Sequence, residues 1–367
     1  MTIITAYSAK ELPGAVTDLE AQCGGFEPRC VLFFASSRYN PLELSRQMQA
    51  AFPGALVAGC STAGEIACGK MVSQSVAAMF LDEEVVGQSA FAVVEHLRDG
   101  VRVSDAFTQM ERQLCAPVSS LDIERYVGLV LADGLSGAEE ALMEKIGDRT
   151  DIFFVGGSAG DDLKFESTHV MIGGEVYSNA ALLVLLELKR GFDIVKTQSF
   201  QSTGKRLMPT KVDERLRLVV EFDDRPALDA YAQVLGVSPE KAPDLFMQHP
   251  LGLMVNGDPF VRSPQRVRDR GIVFYCQIKQ GLELDVLQAT DIVAHTRQAI
   301  EARKGDSKAI SGIVDFQCIL RTLQLRAENR CEEYGAIFTG IPTAGFSTYG
   351  EAYLGHMNQT STMLILR

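Results

Sequence analysis

One short pattern occurs three times in this chain, and its recurrence limits the fold more than any other feature. The copies read GCSTAGEI at 59–66, GGSAGDDL at 156–163 and AGFSTYGEA at 344–352. Glycine and other small residues at a strand end permit tight turns and close backbone approach without any ligand. Because all three copies also keep a hydroxyl residue and a carboxylate, a role beyond turn formation is favoured.

The segments around each copy follow the same order. The apolar run RCVLFFASS precedes a helix start, in which Asn40 is a good N-cap, Pro41 suits the first helical position and Glu43 completes a capping box. In the second copy, Ser136 and Glu139 have the equivalent spacing. The order strand, helix, strand, glycine-rich turn and strand therefore recurs, with the helix of the third copy expected near residues 325–337.

These repeats predict an α/β fold in which mixed β-sheets are layered with helices, in two domains. A length of 367 residues is long for one core. The chain becomes charged from Lys205 to Arg225, which indicates a domain boundary. We expect an N-terminal domain of residues 1–220 with repeats at about 28–90 and 124–190, and a C-terminal domain of residues 221–367 with the third repeat at about 309–367.

Charge and hydropathy exclude several classes of protein. A formal net charge of -12 argues against a nucleic-acid partner, which needs a basic face. The N-terminus has no basic region followed by an apolar core, and the longest apolar run, ALLVLLELK, is too short to cross a bilayer. The eight cysteines form no CxxC pair. We therefore expect a cytoplasmic protein with reduced thiols and no membrane contact.

The turns and the third repeat supply the candidate ligand-binding residues. Small residues and backbone amides at a seam between duplicated units make a pocket for a small polar ligand. Arg321 follows an apolar strand, so we expect it at a cleft, paired either with Glu351 or with a ligand carboxylate. The full set of candidates is Cys60, Ser61, Thr62, Glu65, Ser158, Asp161, Arg321, Tyr349, Glu351 and Asn358.

Two histidines are candidates for binding a haem iron. His249 and His356 each have apolar and methionine neighbours, as an axial haem ligand needs, although a hydrogen-bonded structural histidine is the alternative for both. There is no CxxCH motif, so any haem would be non-covalent haem b. If the chain binds haem, we expect His356 to ligate the iron, because it lies between the turn YGE and the final strand, with Tyr349, Tyr353 and Met357 available to cover a porphyrin face. Pro250 restricts the backbone of His249, which suits a structural turn as well as a ligand.

The sequence does not match the common catalytic motifs. The segment GCSTAG is one residue longer than the G-x-S-x-G nucleophile elbow, and no cationic neighbour in sequence would lower the pKa of Cys60. The chain has no Walker A loop, no HExxH and no zinc-ligand spacing. We therefore predict a protein that is not an enzyme. The alternative is a hydrolase or transferase that uses Cys60 or Ser61 as its nucleophile.

Several motifs together resemble one known family. GCSTAGEI, LADGLSG, VGGSAGDD and SNAALLVLL are similar to the N-terminal half of a FIST protein, a bacterial sensory module. FQCILR at 316–321, GFSTYGE at 345–351 and HMNQT at 356–360 are similar to its C-terminal half. The resemblance covers nearly the whole chain in the family's order.

The resemblance implies a cytoplasmic sensor that binds a small ligand and regulates a separate protein. In this family the expected partner is a histidine kinase, a chemoreceptor or a cyclic-di-nucleotide enzyme, and a homodimer is one expected assembly. One stand-alone subgroup binds haem and senses nitric oxide. The motifs alone do not assign this chain to that subgroup.

Overall fold

The computed structural model describes residues 2–305 and 309–367, which form two compact units. The first unit comprises Met1–Thr197, Thr296–His356 and Ser361–Arg367. The second unit comprises Gln198–His295 and Met357–Thr360. The three repeats lie in the first unit, and the second unit is inserted into the third repeat.

The first repeat builds a sheet around two parallel strands. Its elements are β1 (Ile3–Ser8), α1 (Gly14–Cys23), β2 (Cys30–Ser36), α2 (Pro41–Ala51), β3 (Leu56–Thr62), β4 (Glu65–Ala67), β5 (Lys70–Val72) and β6 (Val76–Leu81). Strands β2 and β3 are parallel, and β6 lies antiparallel between β1 and β2. Every residue of β2 is buried, as in a strand that is covered on both faces.

The second repeat has the same elements in the same order. They are β7 (Val86–Val94), α3 (Ser104–Leu114), β8 (Tyr126–Ala132), α4 (Glu139–Gly147), β9 (Phe154–Ser158), β10 (Val170–Ile172), β11 (Glu175–Tyr177) and β12 (Ala181–Leu188). Strands β8 and β9 are parallel, and β12 lies antiparallel between β7 and β8. The repeat that the sequence predicts is therefore present in the fold.

The second unit interrupts the third repeat after its first strand, β13 (Phe192–Gln198). The elements of the insertion are β14 (Phe200–Leu207), β15 (Pro209–Asp213), β16 (Leu218–Phe222), β17 (Arg225–Pro226), α5 (Ala227–Leu235), β18 (Leu251–Val255), β19 (Asp258–Arg262), β20 (Pro264–Arg268), β21 (Gly271–Phe274) and β22 (Leu284–Ala289). Its strands are ordered β14-β22-β18-β19 in one sheet and β15-β16-β21-β20 in another. Buried Tyr231 and Phe274 belong to its core.

The third repeat then resumes and completes its sheet. Its remaining elements are α6 (Ile292–Lys304), β23 (Gly312–Cys318), α7 (Ile319–Ala327), α8 (Cys331–Ala336), β24 (Thr343–Thr348), β25 (Glu351–Ala352), β26 (His356–Met357) and β27 (Thr360–Leu366). Strands β23 and β24 are parallel, and β27 lies between β13 and β23. The one helix expected near 325–337 is two helices, because Asn329 adopts a left-handed conformation, with φ of 57°, between them.

The three sheets of the first unit exchange their hairpins in a cycle. The β4–β5 hairpin of the first repeat pairs with β24 of the third. The β10–β11 hairpin of the second repeat pairs with β3 of the first, and β25 of the third pairs with β9 of the second. Each sheet therefore takes its last two strands from another repeat, so no repeat can complete its own sheet.

Aromatic side chains join the first and third repeats in one core. Phe34 of β2 stacks on Phe346 of β24, with ring centroids 4.8 Å apart. Phe316 of β23 meets both rings edge-on, at 6.4 and 5.8 Å. Such pairs contribute about 0.5–1.5 kcal/mol each beyond the area they bury. This core connects segments that are far apart in the sequence.

Of the two predicted helix N-caps, the one at Asn40 is confirmed and the one at Ser136 is wrong. The Asn40 side chain accepts a hydrogen bond from Glu43 N at 3.0 Å, which confirms it as the N-cap of α2. The cap at Ser136 is wrong, because α4 begins at Glu139 with Ala138 as its N-cap. Gly137 has a φ of 67°, so this left-handed residue separates Ser136 from the helix.

The predicted α/β class with mixed sheets and internal repeats is confirmed. The division into domains of residues 1–220 and 221–367 stays a prediction. The two compact units have other boundaries, because strands β23, β24 and β27 near the end of the chain form a sheet with β13, which precedes residue 220. Within residues 2–305 and 309–367, no helix is both long enough and apolar enough to cross a bilayer.

The parallel strand pairs approach most closely at equivalent glycines. A Cβ added to Gly59, Gly156 or Gly345 would lie 2.2, 1.9 and 2.0 Å from the carbonyl oxygens of Phe33, Val130 and Asp315 respectively. These oxygens belong to the backbone of the neighbouring strand, so a side chain there would force the strands apart.

We predict that Gly156→Ala lowers the free energy of unfolding by about 1–3 kcal/mol or more, as overpacked cores do. Gly147→Ala is the matched control, because a Cβ on Gly147 meets no heavy atom within 4 Å. Urea unfolding of both variants measures the effect. Equal midpoints for the two variants would show that the strand pair tolerates a side chain at this point.

Candidate functional site

The three glycine-rich turns meet in the first unit and bond to one another in a ring. In each turn, the backbone N–H two residues after the motif serine donates to the carbonyl of a serine from another repeat. The bonds join Ala63 N to Ser347 O at 3.2 Å, Gly160 N to Ser61 O at 3.0 Å and Tyr349 N to Ser158 O at 3.0 Å. The repeats thus pack around a common seam, as their sequence order suggests.

The backbone N–H groups of the three motif serines also form hydrogen bonds within the protein. They donate to three carbonyls, in the bonds Ser61 N to His169 O, Ser158 N to Gly350 O and Ser347 N to Gly64 O, at 2.9, 2.8 and 2.7 Å. A Cβ on Gly160 would lie 2.8 Å from Ala63 N, so glycine is required there by close packing. Backbone packing therefore accounts for much of the motif, and the ligand-binding role of the turn residues stays a prediction.

Two of the turns carry the same buried threonine–glutamate pair. Thr62 Oγ1 lies 2.5 Å from Glu65 Oε1, and Thr348 Oγ1 lies 2.5 Å from Glu351 Oε1. Glu65 also accepts hydrogen bonds from Ser75 N and Ser75 Oγ, at 3.1 and 2.6 Å. Burial raises the pKa of Glu65 to about 7, although the bonds from Ser75 and Thr62 act in the opposite direction.

The second turn has Ala159 and Asp162 at these two positions. Asp162 reaches the end of β2, where its Oδ2 accepts from Ser36 Oγ at 2.8 Å and from Ser37 N and Oγ at 2.8 and 2.7 Å. Asp162 has a φ of 54°, in the left-handed region that is costly for a side-chain-bearing residue. The three hydrogen bonds to Asp162 hold this backbone conformation.

Two predicted residues, Asp161 and Tyr349, contact each other. Tyr349 Oη donates to Asp161 Oδ1 at 2.5 Å, and the Asp161 carboxylate also accepts from the backbone N–H groups of residues 165, 166 and 167. Burial raises the pKa of Asp161, but the Tyr349 hydroxyl and these N–H groups outweigh it, so that the pKa lies below its usual value. The pair braces the loop that follows the second turn.

Arg321 lies in a separate buried polar group of the third repeat. It is 1% exposed, its Nη2 donates to Thr296 Oγ1 at 2.9 Å, and its Nε donates to Gln317 Oε1 at 3.3 Å. Burial raises the pKa of nearby Asp315 to about 6, against the charge of Arg321. The predicted pairing of Arg321 with Glu351 or with a ligand carboxylate stays a prediction.

The proposed nucleophiles Cys60 and Ser61 are placed unfavourably for catalysis. Cys60 is fully buried, and burial raises the pKa of its thiol well above the usual value, which opposes formation of the reactive thiolate. Ser61 Oγ accepts the backbone N–H of His169 at 2.9 Å. Among the described residues, no hydrogen bond joins the His169 ring to Ser61, as a serine–histidine pair requires.

A small cavity lies where the parallel strands β2 and β3 end. Its volume is about 120 Å³, and its lining includes Ser36, Ser37, Pro41, Ser61, Ser167 and His169. Ligands of open α/β sheets bind outside the carboxyl ends of the strands. Of the predicted ligand-binding residues, Ser61 is in this lining. Ser36 and Ser37 end the run RCVLFFASS, and their position at the end of a buried strand is a sequence signal for this edge of the sheet.

His169 gives this cavity a neutral imidazole. Burial lowers the pKa of His169 from its ordinary value of 6.5, while Asp133 and Asp161 act in the opposite direction. A neutral ring presents one donor and one acceptor nitrogen. The cavity therefore contains several hydroxyl groups and an uncharged ring, which suits a small polar ligand.

The two candidate iron ligands lie elsewhere. His356 is 7% exposed, and its ring is pressed against Gly350, where a Cβ would meet His356 Cε1 at 2.1 Å. His249 Nδ1 lies 3.0 Å from Leu287 O. The packing of His356 does not fit a porphyrin beside its ring, so its assignment as the iron ligand stays a prediction without structural support. Within the part of the chain that the structure describes, no group of three or more His, Cys, Asp or Glu residues is placed to hold a metal ion.

Asn358, the last predicted residue, lies in the second unit. It is 1% exposed, and its Oδ1 has no hydrogen-bond partner among the described residues. A buried polar atom without a partner is uncommon in folded proteins. Its predicted role in ligand binding stays a prediction.

Comparisons with known proteins agree with the architecture. The FIST N domain model matches residues 29–225, and the FIST C domain model matches residues 227–353. The uncharacterized protein MJ1623 of Methanocaldococcus jannaschii is 26% identical over 267 residues, which cover 67% of this chain and 51% of that protein. The chain thus spans about half the length of this curated relative. FIST domains are sensory, ligand-binding domains of signalling proteins.

The raised pKa of Glu65 makes stability depend on pH. Between pH 4.5 and about 7 the folded chain holds a proton on Glu65 that the unfolded chain has released, so stability falls as the pH rises through this range. A shift of this size corresponds to about 3 kcal/mol. Glu65→Gln imitates the protonated form, since its amide can donate to Thr62 while its carbonyl accepts from Ser75.

We predict that Glu65→Gln is more stable than the wild type by about 1–3 kcal/mol at pH 8 and equal to it at pH 4.5. Urea unfolding across this pH range measures the difference. Glu95→Gln, at an exposed position, is the control for the loss of one charge. The same pH dependence in wild type and Glu65→Gln would contradict the raised pKa.

Proposed function

This chain belongs to the FIST family of sensory proteins, and we propose that it binds a small polar metabolite in the cavity at the carboxyl ends of β2 and β3. The proposal has no catalytic step. The binding of the ligand regulates a separate signalling protein, for which a histidine kinase or a cyclic-di-nucleotide enzyme is our proposal. A cytoplasmic location and a homodimer are part of the same proposal.

The position and lining of the cavity carry this proposal. Ser61 Oγ accepts the N–H of His169 and donates no hydrogen bond among the described residues, so its hydroxyl proton is available to a ligand. Ser37 Oγ donates to Asp162 and accepts from Lys164 Nζ at 3.0 Å, which orients it at the wall. The His169 ring adds a donor and an acceptor. Polar groups that converge on a cavity in this way specify the orientation of a small ligand.

The size of the cavity limits the ligand. A volume of about 120 Å³ is below the range of about 300–1,000 Å³ for drug-sized ligands. An amino acid or a metabolite of similar size is therefore favoured. Haem with nitric-oxide sensing is the alternative that the resemblance suggests, but a porphyrin exceeds this cavity and neither His249 nor His356 lines it.

The loop after the second turn connects the cavity to the ring of turns, so that ligand binding can affect the ring. Residues 161–169 run from the ring to the cavity wall, where Ser167 and His169 lie. Asp162 ties the loop to the end of β2, and Asp161 ties it to Tyr349 of the third repeat. A ligand that displaces Ser36 or Ser37 would alter the bonds to Asp162, and so would bias the conformation of this loop.

We predict that Ser167→Phe abolishes ligand binding without loss of fold. The side chain of Ser167 lines the cavity and makes no hydrogen bond among the described residues, so the larger ring fills the space without removing a bond. Ser73→Phe, at another exposed serine outside the lining, is the matched control.

Thermal unfolding with a panel of amino acids and small carboxylates, together with native mass spectrometry of the purified protein, measures binding. A ligand at about 100 times its Kd stabilises the folded state by about 2.7 kcal/mol. We expect wild type and Ser73→Phe to show this stabilisation and Ser167→Phe to lose it. Retention of the same ligand by Ser167→Phe would place the binding site elsewhere.

A further inference from the structure

A second, much larger concavity lies at the other end of the same strands. It has a volume of about 870 Å³ and lies where β2 and β3 begin, between the C-terminal ends of α1 and α2 and the turn from β6 to β7. We call it the acidic groove, and its lining includes Glu20, Phe26, Glu27, Arg29, Phe52 and Glu83. It has no part in the ligand cavity described above.

The side chains of the acidic groove carry a strong excess of negative charge. The carboxylates come from Glu20, Glu27, Asp82, Glu83 and Glu84, and the basic side chain is Arg29. Arg29 Nε already donates to Gly87 O at 2.6 Å. Glu84 faces Arg190 at 3.8 Å, whereas among the described residues Glu20, Glu27 and Glu83 have no ion-pair partner. The groove therefore has negative charge that this chain does not neutralise.

Two helix ends add to this negative potential, independently of the side chains. Helix α1 ends at Cys23 and helix α2 ends at Ala51, and both ends lie in the groove lining. The carbonyl end of a helix carries the equivalent of about half a negative charge. Neither helix has a basic residue in its last turn, where Lys or Arg would normally stabilise it.

The floor of the groove is apolar and firmly held. Phe52 is 6% exposed and packs on Phe80, with ring centroids 5.1 Å apart, and Cys23 is 3% exposed. Phe26 is half-buried beside them, with Pro28 also in the lining. A floor of this kind accepts an apolar side chain with little rearrangement.

We propose that the acidic groove docks a basic amphipathic segment of a separate protein. An apolar side chain of that segment lies on Phe26 and Phe52, and its Lys or Arg side chains face the carboxylates and the two helix ends. Charge complementarity selects this occupant, because nucleic acids and anionic membranes are repelled by the same field. A metal ion alone would leave the apolar floor without a function.

The probe is a short fluorescein-labelled peptide of Lys and Leu at helical spacing, and its anisotropy is measured with the full chain. The test variant is Glu20→Lys/Glu27→Lys/Glu83→Lys, at exposed positions. The matched control is Glu95→Lys/Glu124→Lys/Glu144→Lys, which changes the net charge equally at exposed positions outside the groove. We expect the test variant to bind roughly tenfold or more weakly and the control to stay within about twofold of wild type.

A second pair of measurements separates docking from general charge attraction. We expect Phe26→Ser to weaken binding of the same peptide, and a Lys–Ser peptide to bind wild type weakly. Unfolding midpoints confirm that the variants are folded. The proposal is overturned by equal losses in test and control variants, by equal binding of the Lys–Ser peptide, or by no binding of the Lys–Leu peptide to wild type. Displacement of the peptide by Ca²⁺ at low millimolar concentration would also overturn it, in favour of a cation site.

Discussion

The ring of backbone hydrogen bonds between the three glycine-rich turns is the interaction on which the rest of the first unit depends. Each turn donates to the next repeat around the ring and sends its hairpin into another repeat's sheet. Buried backbone groups need partners, and an open sheet edge at the centre of a core would leave them without any. The cycle closes all three edges together, so the repeats stabilise one another as a set.

This closure explains why small residues recur at the turns. Gly160 and the glycines of the parallel strand pairs lie where a Cβ would meet neighbouring backbone. Hydroxyl and carboxyl groups then hydrogen-bond to one another inside the ring, as Thr62 and Glu65 do, and this bond opposes the rise that burial causes in the pKa of Glu65. The small cavity lies beside the ring, where Ser61 lies near the end of β3, and the acidic groove lies at the other end of the same sheet.

The sequence was sufficient for the parts of the fold that depend on local signals. Hydrophobic runs and the Asn40 cap predicted the order of strands and helices, because those signals act over a few residues. The left-handed Gly137 and Asn329 shifted helix boundaries in ways that residue type alone does not specify. The hairpin exchange was not predictable, since it depends on pairings between distant repeats. For the same reason, the sequence predicts Ser61 as a ligand-binding residue but gives no signal for Ser167, which lines the same cavity from another repeat.

The most direct test of this account is urea unfolding of a fragment that ends at residue 225, where the FIST N match ends. That fragment contains two complete repeat sequences but lacks β24, which pairs with β4, and β25, which pairs with β9. We predict that it shows no cooperative unfolding transition alone and regains one when a fragment of residues 226–367 is added. A cooperative transition of the isolated fragment, with a free energy of unfolding near that of the whole chain, would contradict the interdependence of the three repeats.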